Sequence, residues 1–268
     1  MKFVLSTALV HFCFITLPLS AQAQEEVKLE LSKPGKPFEL TIHKMSGGIT
    51  VTGHDKDYLI FRLPKFSMVE PQPNNRGEGL RKIQANSQNV EIEEIDNRVS
   101  LTSKNWKSRG KIEVLVPFKA NLKLSCLNEG NILVENVDGQ LEVQNTNGGI
   151  TLSNISGSVI ANALNEDLKV SFQRVDPEKA MSFTSLNGNL DIAFPNSLDA
   201  TMLLETHNGD IYTAFDIDLR QEMQRDEKKN GDRRRIAYKS QIIGTVGKGG
   251  PEITLKTFNG NIYIRKSE

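Results

Sequence analysis

Between residues 127 and 170 the apolar and polar positions repeat in a unit of nine residues. Apolar or small residues come in pairs two apart: Ile132 and Val134, Leu141 and Val143, Ile150 and Leu152, Val159 and Ala161, Leu168 and Val170. Each pair follows a slot held in turn by Gly130, Gly139, Gly148, Gly157 and Glu166. A third position, seven after the slot, carries Val137, Thr146, Ile155 and Leu164. The alternation places both members of a pair on one face of a strand, because successive strand residues point to opposite sides. The glycines predict a bend at every corner, since glycine reaches positive φ without steric cost. Strands this short cannot bury a face alone; stacked about 4.8 Å apart, they build one continuous core. The predicted fold is therefore all-β, a β-solenoid or β-helix-like repeat of short strands with glycine corners. The slots alternate in context, Asn- or Thr-rich before Gly130 and Gly148 but Val137-Asp138 and Ile155-Ser156 before the other two, which predicts two strands and eighteen residues per coil. Asn136, Asn145 and Asn154 each lie six after a glycine, where stacked amides would satisfy backbone groups of the bends.

The pattern weakens toward both ends. Val27, Leu29 and Leu31 alternate with charges, Pro34-Gly35-Lys36-Pro37 predicts a turn, and Phe38, Leu40 and Ile42 resume the alternation. These strands are expected to cover the open first coil, whose edge would otherwise be unpaired. Gly47 to Val51 shows the glycine-then-alternation signature again, and a strand follows over 58–63. Residues 64–79 read as a long loop. Beyond it Val90, Ile92 and Ile95 are expected to continue the repeat without its glycine, with Val99 and Leu101 nine residues on. Further corners of the form Asn-Gly-x-φ stand at Gly188, Gly209 and Gly260. The 51 residues from Gly209 to Gly260 include an insertion over 216–240, whose stretch from Arg220 to Arg235 mixes acids and cations and is expected to be a solvated hairpin or loop.

Composition narrows the class. Lys2, the apolar run from Phe3 to Leu19 and Ala21-Gln22-Ala23 predict a secretory signal over 1–23 and a mature domain over 24–268 that is exported, with no membrane span once the leader is removed. Thirty-three basic residues balance thirty-three acidic ones, which argues against a nucleic-acid partner. Only Cys126 remains in the mature chain, too few for an internal disulfide, and it is read as a small buried hydrophobe. His54, Asp55 and Asp57 fall in a turn and lack the further ligands a metal needs. Neither a metal nor a cofactor is expected. Trp106, flanked by cations, and Tyr212 and Tyr263, each three after a glycine slot, are the candidate ligand contacts.

The run Ile112-Glu113-Val114-Leu115-Val116-Pro117 leading into Asn-Gly corners, and the closing stretch from Gly249 to Ile262, resemble the bacterial adhesin-like family of β-strand-repeat proteins. The resemblance implies an exported β-solenoid-like domain, periplasmic, surface-bound or secreted, and carries over no catalytic residue. The function expected is that of a non-enzymatic binding or structural module of the cell envelope or surface, contacting a glycan or a protein through an extended polar face. The alternative is a polysaccharide lyase or hydrolase on a β-helical scaffold. Glycoside cleavage needs two facing carboxylates, and the outward columns one and three after each glycine assemble no such pair. Asp191 and Asp210 come nearest, in different columns.

Overall fold

The computed structural model describes residues 24–64, 90–103, 110–230 and 233–267. The expected leader over 1–23, the expected loop beyond Pro64 and Trp106 lie outside the described residues. In chain order the strands are β1 (Gln24–Glu30), β2 (Glu39–Ser46), β3 (Ile49–His54), β4 (Tyr58–Pro64), β5 (Val90–Ile95), β6 (Arg98–Ser103) and β7 (Ile112–Pro117). There follow β8 (Asn121–Asn128), β9 (Ile132–Glu135), β10 (Asp138–Asn145), β11 (Ile150–Ala163), β12 (Leu168–Val175), β13 (Met181–Asn187) and β14 (Leu190–Phe194). The last are β15 (Ala200–Asn208), β16 (Ile211–Thr213), β17 (Ile217–Asn230), β18 (Arg233–Val246), β19 (Glu252–Asn259) and β20 (Ile262–Lys266).

Parallel pairing stacks these strands into a β-solenoid with two faces. The first face runs β6, β2, β8, β10, the second half of β11, β13, β19 and β15. The second runs β7, β3, β9, the first half of β11, β12, β14, β20 and β16. Gly139 pairs with Gly157, so one coil of the central repeat takes the eighteen residues its spacing predicts. Ile112, Ile49, Ile132, Ile150, Leu168, Leu190 and Ile262 stand in register and form one buried row. Near the C-terminal end the rings of Phe172 and Phe194 stack at 5.4 Å, with Phe183 edge-on to both.

The coils do not stack in chain order. The coil of β2 and β3 lies between that of β6 and β7 and that of β8 and β9. In the same way the coil of β19 and β20 lies between that of β13 and β14 and that of β15 and β16. Residues 27–51 therefore divide. β1 does cover an edge, lying antiparallel to β4, which is antiparallel to β7; β2 is interior instead, and β3 joins the parallel stack as its repeat signature at Gly47 to Val51 predicts. Residues 90–95 do not continue the repeat either, because β5 is antiparallel to β6 and leaves Ile95 exposed. The apolar spacing of a covering strand is the same as that of a coil, and spacing does not encode pairing direction.

The glycine corners also differ from their expected reason. Positive φ is found at Gly130 and Gly157, but close stacking is the wider constraint. A Cβ on Gly139 would sit 2.2 Å from the carbonyl oxygen of Ala120 on the next coil, and one on Gly157 would sit 2.2 Å from that of Gly139. At other corners the carbonyls approached in the same way, those of Gly130, Gly188 and Gly260, take donors from a polar row inside the solenoid. Asn145 Nδ2 donates to Gly130 O at 2.9 Å and Gly149 O at 3.2 Å. Thr257 Oγ1 donates to Gly188 O and Thr206 Oγ1 to Gly260 O, each at 2.9 Å. Cys126 belongs to this row, its thiol donating to Gly47 O at 3.2 Å. Burial pushes that thiol up, offset in part by Lys44, whose own ammonium burial pulls down. The three asparagines of the repeat thus separate: Asn145 works inside, while Asn154 donates to Asn136 at 3.1 Å on an exposed corner eighteen residues away.

The 216–240 insertion forms the hairpin of β17 and β18, paired from Ile217–Val246 out to Asn230–Arg233. Only Ile242–Val246 also pair with the solenoid, through β15. The rest projects as a two-stranded arm about 30 Å long.

Candidate functional site

The residue preceding the corner glycine, or Glu166 in its slot, is asparagine in five coils, and in a sixth Asn128 stands two before Gly130. Parallel, in-register strands bring like side chains about 4.8 Å apart, within reach of one amide for the next. Asn208 Nδ2 donates to Asn259 Oδ1 at 2.7 Å, Asn259 to Asn187 at 2.7 Å, Asn187 to Asn165 at 3.1 Å, Asn165 to Asn147 at 3.0 Å and Asn147 to Asn128 at 3.3 Å. This exposed ladder runs roughly 24 Å along the solenoid. Asn147 and Asn165 also donate to the backbone oxygens of Leu127 and Thr146, each at 3.1 Å; each ladder oxygen that accepts one amide has a second lone pair to offer an outside partner.

Just past the glycines a second row holds the backbone. The side-chain oxygens of Asn131, Asp167, Asn189 and Asn261 accept from the backbone N–H groups of Gly149, Asn189, Asn261 and Asp210 at 2.8–3.0 Å. Each oxygen reaches the adjacent coil and so fixes the corner's height.

Aromatic residues flank the ladder where it reaches its last two coils. On one side the rings of His207 and Phe258 stack at 4.6 Å and 10°. On the other Tyr212 and Tyr263 stack at 5.2 Å and 10°. Tyr212 is 50% exposed and stands on β16, which among the described residues pairs only with β20. One ring face is covered by Tyr263, and the other looks off the end of the second face. The Arg265 guanidinium lies 5.3 Å from the Tyr263 centroid and grips Asp191 at 2.6 and 3.3 Å. That carboxylate holds Arg265 above its ordinary value, and the Asp210 carboxylate, 3.4 Å from the Tyr212 hydroxyl, pushes the Tyr212 phenol up. Tyr212 keeps its proton and its donor capacity through neutral and mildly alkaline pH.

The structure thus brings Tyr212 and Tyr263 together, as two rungs of one column. Sequence reasoning overlooked the His207–Phe258 pair, although both residues stand two before a corner glycine. It placed stacked amides at Asn136, Asn145 and Asn154, whereas the long ladder uses the asparagine of the Asn-Gly corner itself. It also missed the acid–cation pair of Asp191 and Arg265, because Arg265 is five after its glycine and the coils are out of order. Asp191 and Asp210 do not face one another: the β19–β20 coil stands between theirs, and Asp191 is engaged by Arg265. At the opposite end a groove of about 920 Å³ is lined by Pro37, Phe118 and Lys119. Two of its carboxylates are already paired, Asp55 with Lys56 at 3.3 Å and Asp138 with Arg174 at 3.0 Å. His54 accepts from the backbone of Lys56 at 3.1 Å.

A family model matches residues 14–265. The chain belongs to the Toastrack DUF4097 family. Among solved structures, this Toastrack chain is similar to a candidate cell adhesion protein from Clostridium sporogenes at 13% identity, covering 91% of this chain and 100% of that one with a TM-score of 0.48. It is also similar to a candidate adhesin from Bacteroides fragilis at 12% identity, covering 92% and 98% with a TM-score of 0.29. No curated protein matches it.

Proposed function

We propose that this Toastrack protein is an exported, non-enzymatic binding module of adhesin type, acting at the cell envelope or surface. The observation that carries the reading is the pair of aromatic stacks flanking the asparagine ladder on the last two coils. Aromatic faces take the C–H face of a sugar ring, while primary amides and Arg265 exchange hydrogen bonds with hydroxyl or carboxylate oxygens. Repetition along the solenoid gives a polymer several equivalent contacts. A glycan is therefore the partner of choice, with a leader over 1–23 delivering a domain over 24–268 to it. Asp191 serves to hold Arg265 beside Tyr263, and no cofactor takes part.

The test is to incubate the processed chain with a panel of envelope and host polysaccharides, following retention and chain length together. Retention without cleavage, weakened roughly tenfold or more by Tyr212→Ala, is the expected result. Cleavage of any polymer that Asp191→Asn abolishes would make the protein a carbohydrate-active enzyme. Retention indifferent to Tyr212 and Phe258 would remove the site, and silence toward all glycans alongside capture of an envelope protein would replace the partner.

A further inference from the structure

The arm of β17 and β18 is larger than the fold needs. Its inner rungs are held by β15, but from Glu222 outward it is a two-stranded ribbon with no third strand beside it among the described residues. Isolated two-stranded ribbons are marginal in water. The paired register puts Ile217, Leu219 and Met223 at one parity with Val246, Ile242, Tyr238 and Ile236, joined toward the tip by Arg225, Glu227, Lys229 and Arg234; the other parity is charged or polar apart from Ile243 and Ala237. On the inner part of the arm Leu219 is 58% and Met223 72% exposed. An amphipathic ribbon with an open edge is a template for one more strand.

The two edges of the ribbon differ in what they invite. Over Arg233–Val246, β18 carries Arg233, Arg234, Arg235 and Lys239 and no acid, so pairing it with itself brings cations together. Over Ile217–Asn230, β17 carries Asp218, Glu222, Asp226 and Glu227 against Arg220, Arg225, Lys228 and Lys229. The order of these charges is self-complementary about one residue. Two β17 strands antiparallel with Met223 opposite Met223 place Asp218 opposite Lys228 and Arg220 opposite Asp226, each twice by symmetry, and set no like charges directly across. A shift of one residue, to a centre at Gln224, opposes Glu222 with Asp226 and Arg220 with Lys228. A shift the other way opposes Glu222 with itself and Asp218 with Asp226. Opposite charges across a strand pair stabilise and like charges destabilise, so of the registers centred on Glu222, Met223 and Gln224 the sequence favours the one about Met223.

We propose that β17 is the interface of a two-fold homodimer, its edge pairing antiparallel with the β17 edge of a second copy about Met223. Such a contact is isologous and closes on itself. It continues the first face from one solenoid into the next and leaves the aromatic stacks of both copies outside the seam, so the dimer is bivalent toward any repeating ligand. The inference does not rest on what that ligand is.

Light scattering coupled to size exclusion, at tens of micromolar, is expected to return the mass of a dimer. Within its own hairpin Arg220 stands opposite Ile243 and Asp226 opposite Ala237. Arg220→Asp and Asp226→Arg should each weaken the dimer roughly tenfold or more, and the double exchange should restore it. Met223→Cys in the processed chain, where Cys126 is buried, should oxidise to a covalent dimer, while Gln224→Cys should not. A monomer at every concentration would overturn the proposal. So would a dimer indifferent to both charge reversals, or open-ended assemblies in place of a closed pair. Circular dichroism of each variant separates a lost interface from a lost fold.

Discussion

The two ends of this solenoid are finished in different ways. At the N-terminal end both faces are closed by antiparallel strands: β5 covers the first face, and β4 with β1 behind it covers the second. At the C-terminal end, among the described residues, only the first face receives a cover, from the arm, and the second stops at the three-residue strand β16 with Tyr212 at its edge. A solenoid that stacks without limit aggregates, so each end needs a stop. The N-terminal stop is built of backbone pairing and buried polar contacts. The C-terminal stop is made by brevity and by exposed groups, and that is where the candidate site sits. The fuller closure and the candidate site lie at opposite ends of one repeat.

The contrast breaks most readily at Asn97. Its side chain is buried; Oδ1 accepts from Lys33 N at 2.8 Å, and Nδ2 donates to Lys33 O at 2.8 Å and more weakly to Pro37 O at 3.4 Å. It also holds φ at 62°, where asparagine is tolerated far better than most residues. Asn97→Ala should cost about 2–4 kcal/mol in chemical denaturation, from orphaned backbone groups and the left-handed backbone together.

Acid should loosen the same end next. Ser32 hydroxyl and the Asn97 N–H hold the Glu94 carboxyl below its ordinary 4.5, and Lys33 holds that of Asp96 below its ordinary 3.8. Both folded values lie under the unfolded ones, so the stabilisation is present above about pH 4.5 and is lost as pH falls through the folded values. Hydrogen exchange between pH 5 and pH 3 should rise in β5 and β6 before it rises in β19 and β20. Equal loss at both ends would erase the distinction.

The smallest effect belongs to the open end. Asn208 is the last rung of the ladder and makes one exposed side-chain bond, to Asn259. Asn208→Ala should change stability by no more than about 0.5–1 kcal/mol. A loss as large as that at Asn97 would mean that the ladder, too, is part of the closure.

The fold was legible because its repeat is dictated by local physics. The Gly139–Gly157 interval is one coil, and the apolar pairs are its interior rows. Coil order was not legible, for a reason the rows make plain. Ile49, Ile112 and Ile132 are interchangeable residues in one column, and nothing in their spacing ranks one neighbour above another. The site inherits this limit. Tyr212 and Tyr263 were identifiable as members of an outward column, but their contact depends on a coil inserted from the far end of the chain, as does that of Arg265 with Asp191. The asparagine ladder was readable in principle from four Asn-Gly pairs, yet the same dipeptide is ordinary turn chemistry.

The interleaved coils set a schedule for assembly. Met202 and Phe183 lie on coils that touch in chain order nowhere, because Ile253 and Leu255 fill the rung between them. Until residues 252–264 are synthesised, that gap must stand empty or be filled wrongly, and the coil of β2 and β3 likewise waits for β6 and β8 on either side. Pairing across such separations makes folding slow. Residues 252–264 lock the C-terminal half, so that half reaches its final form only after they are made.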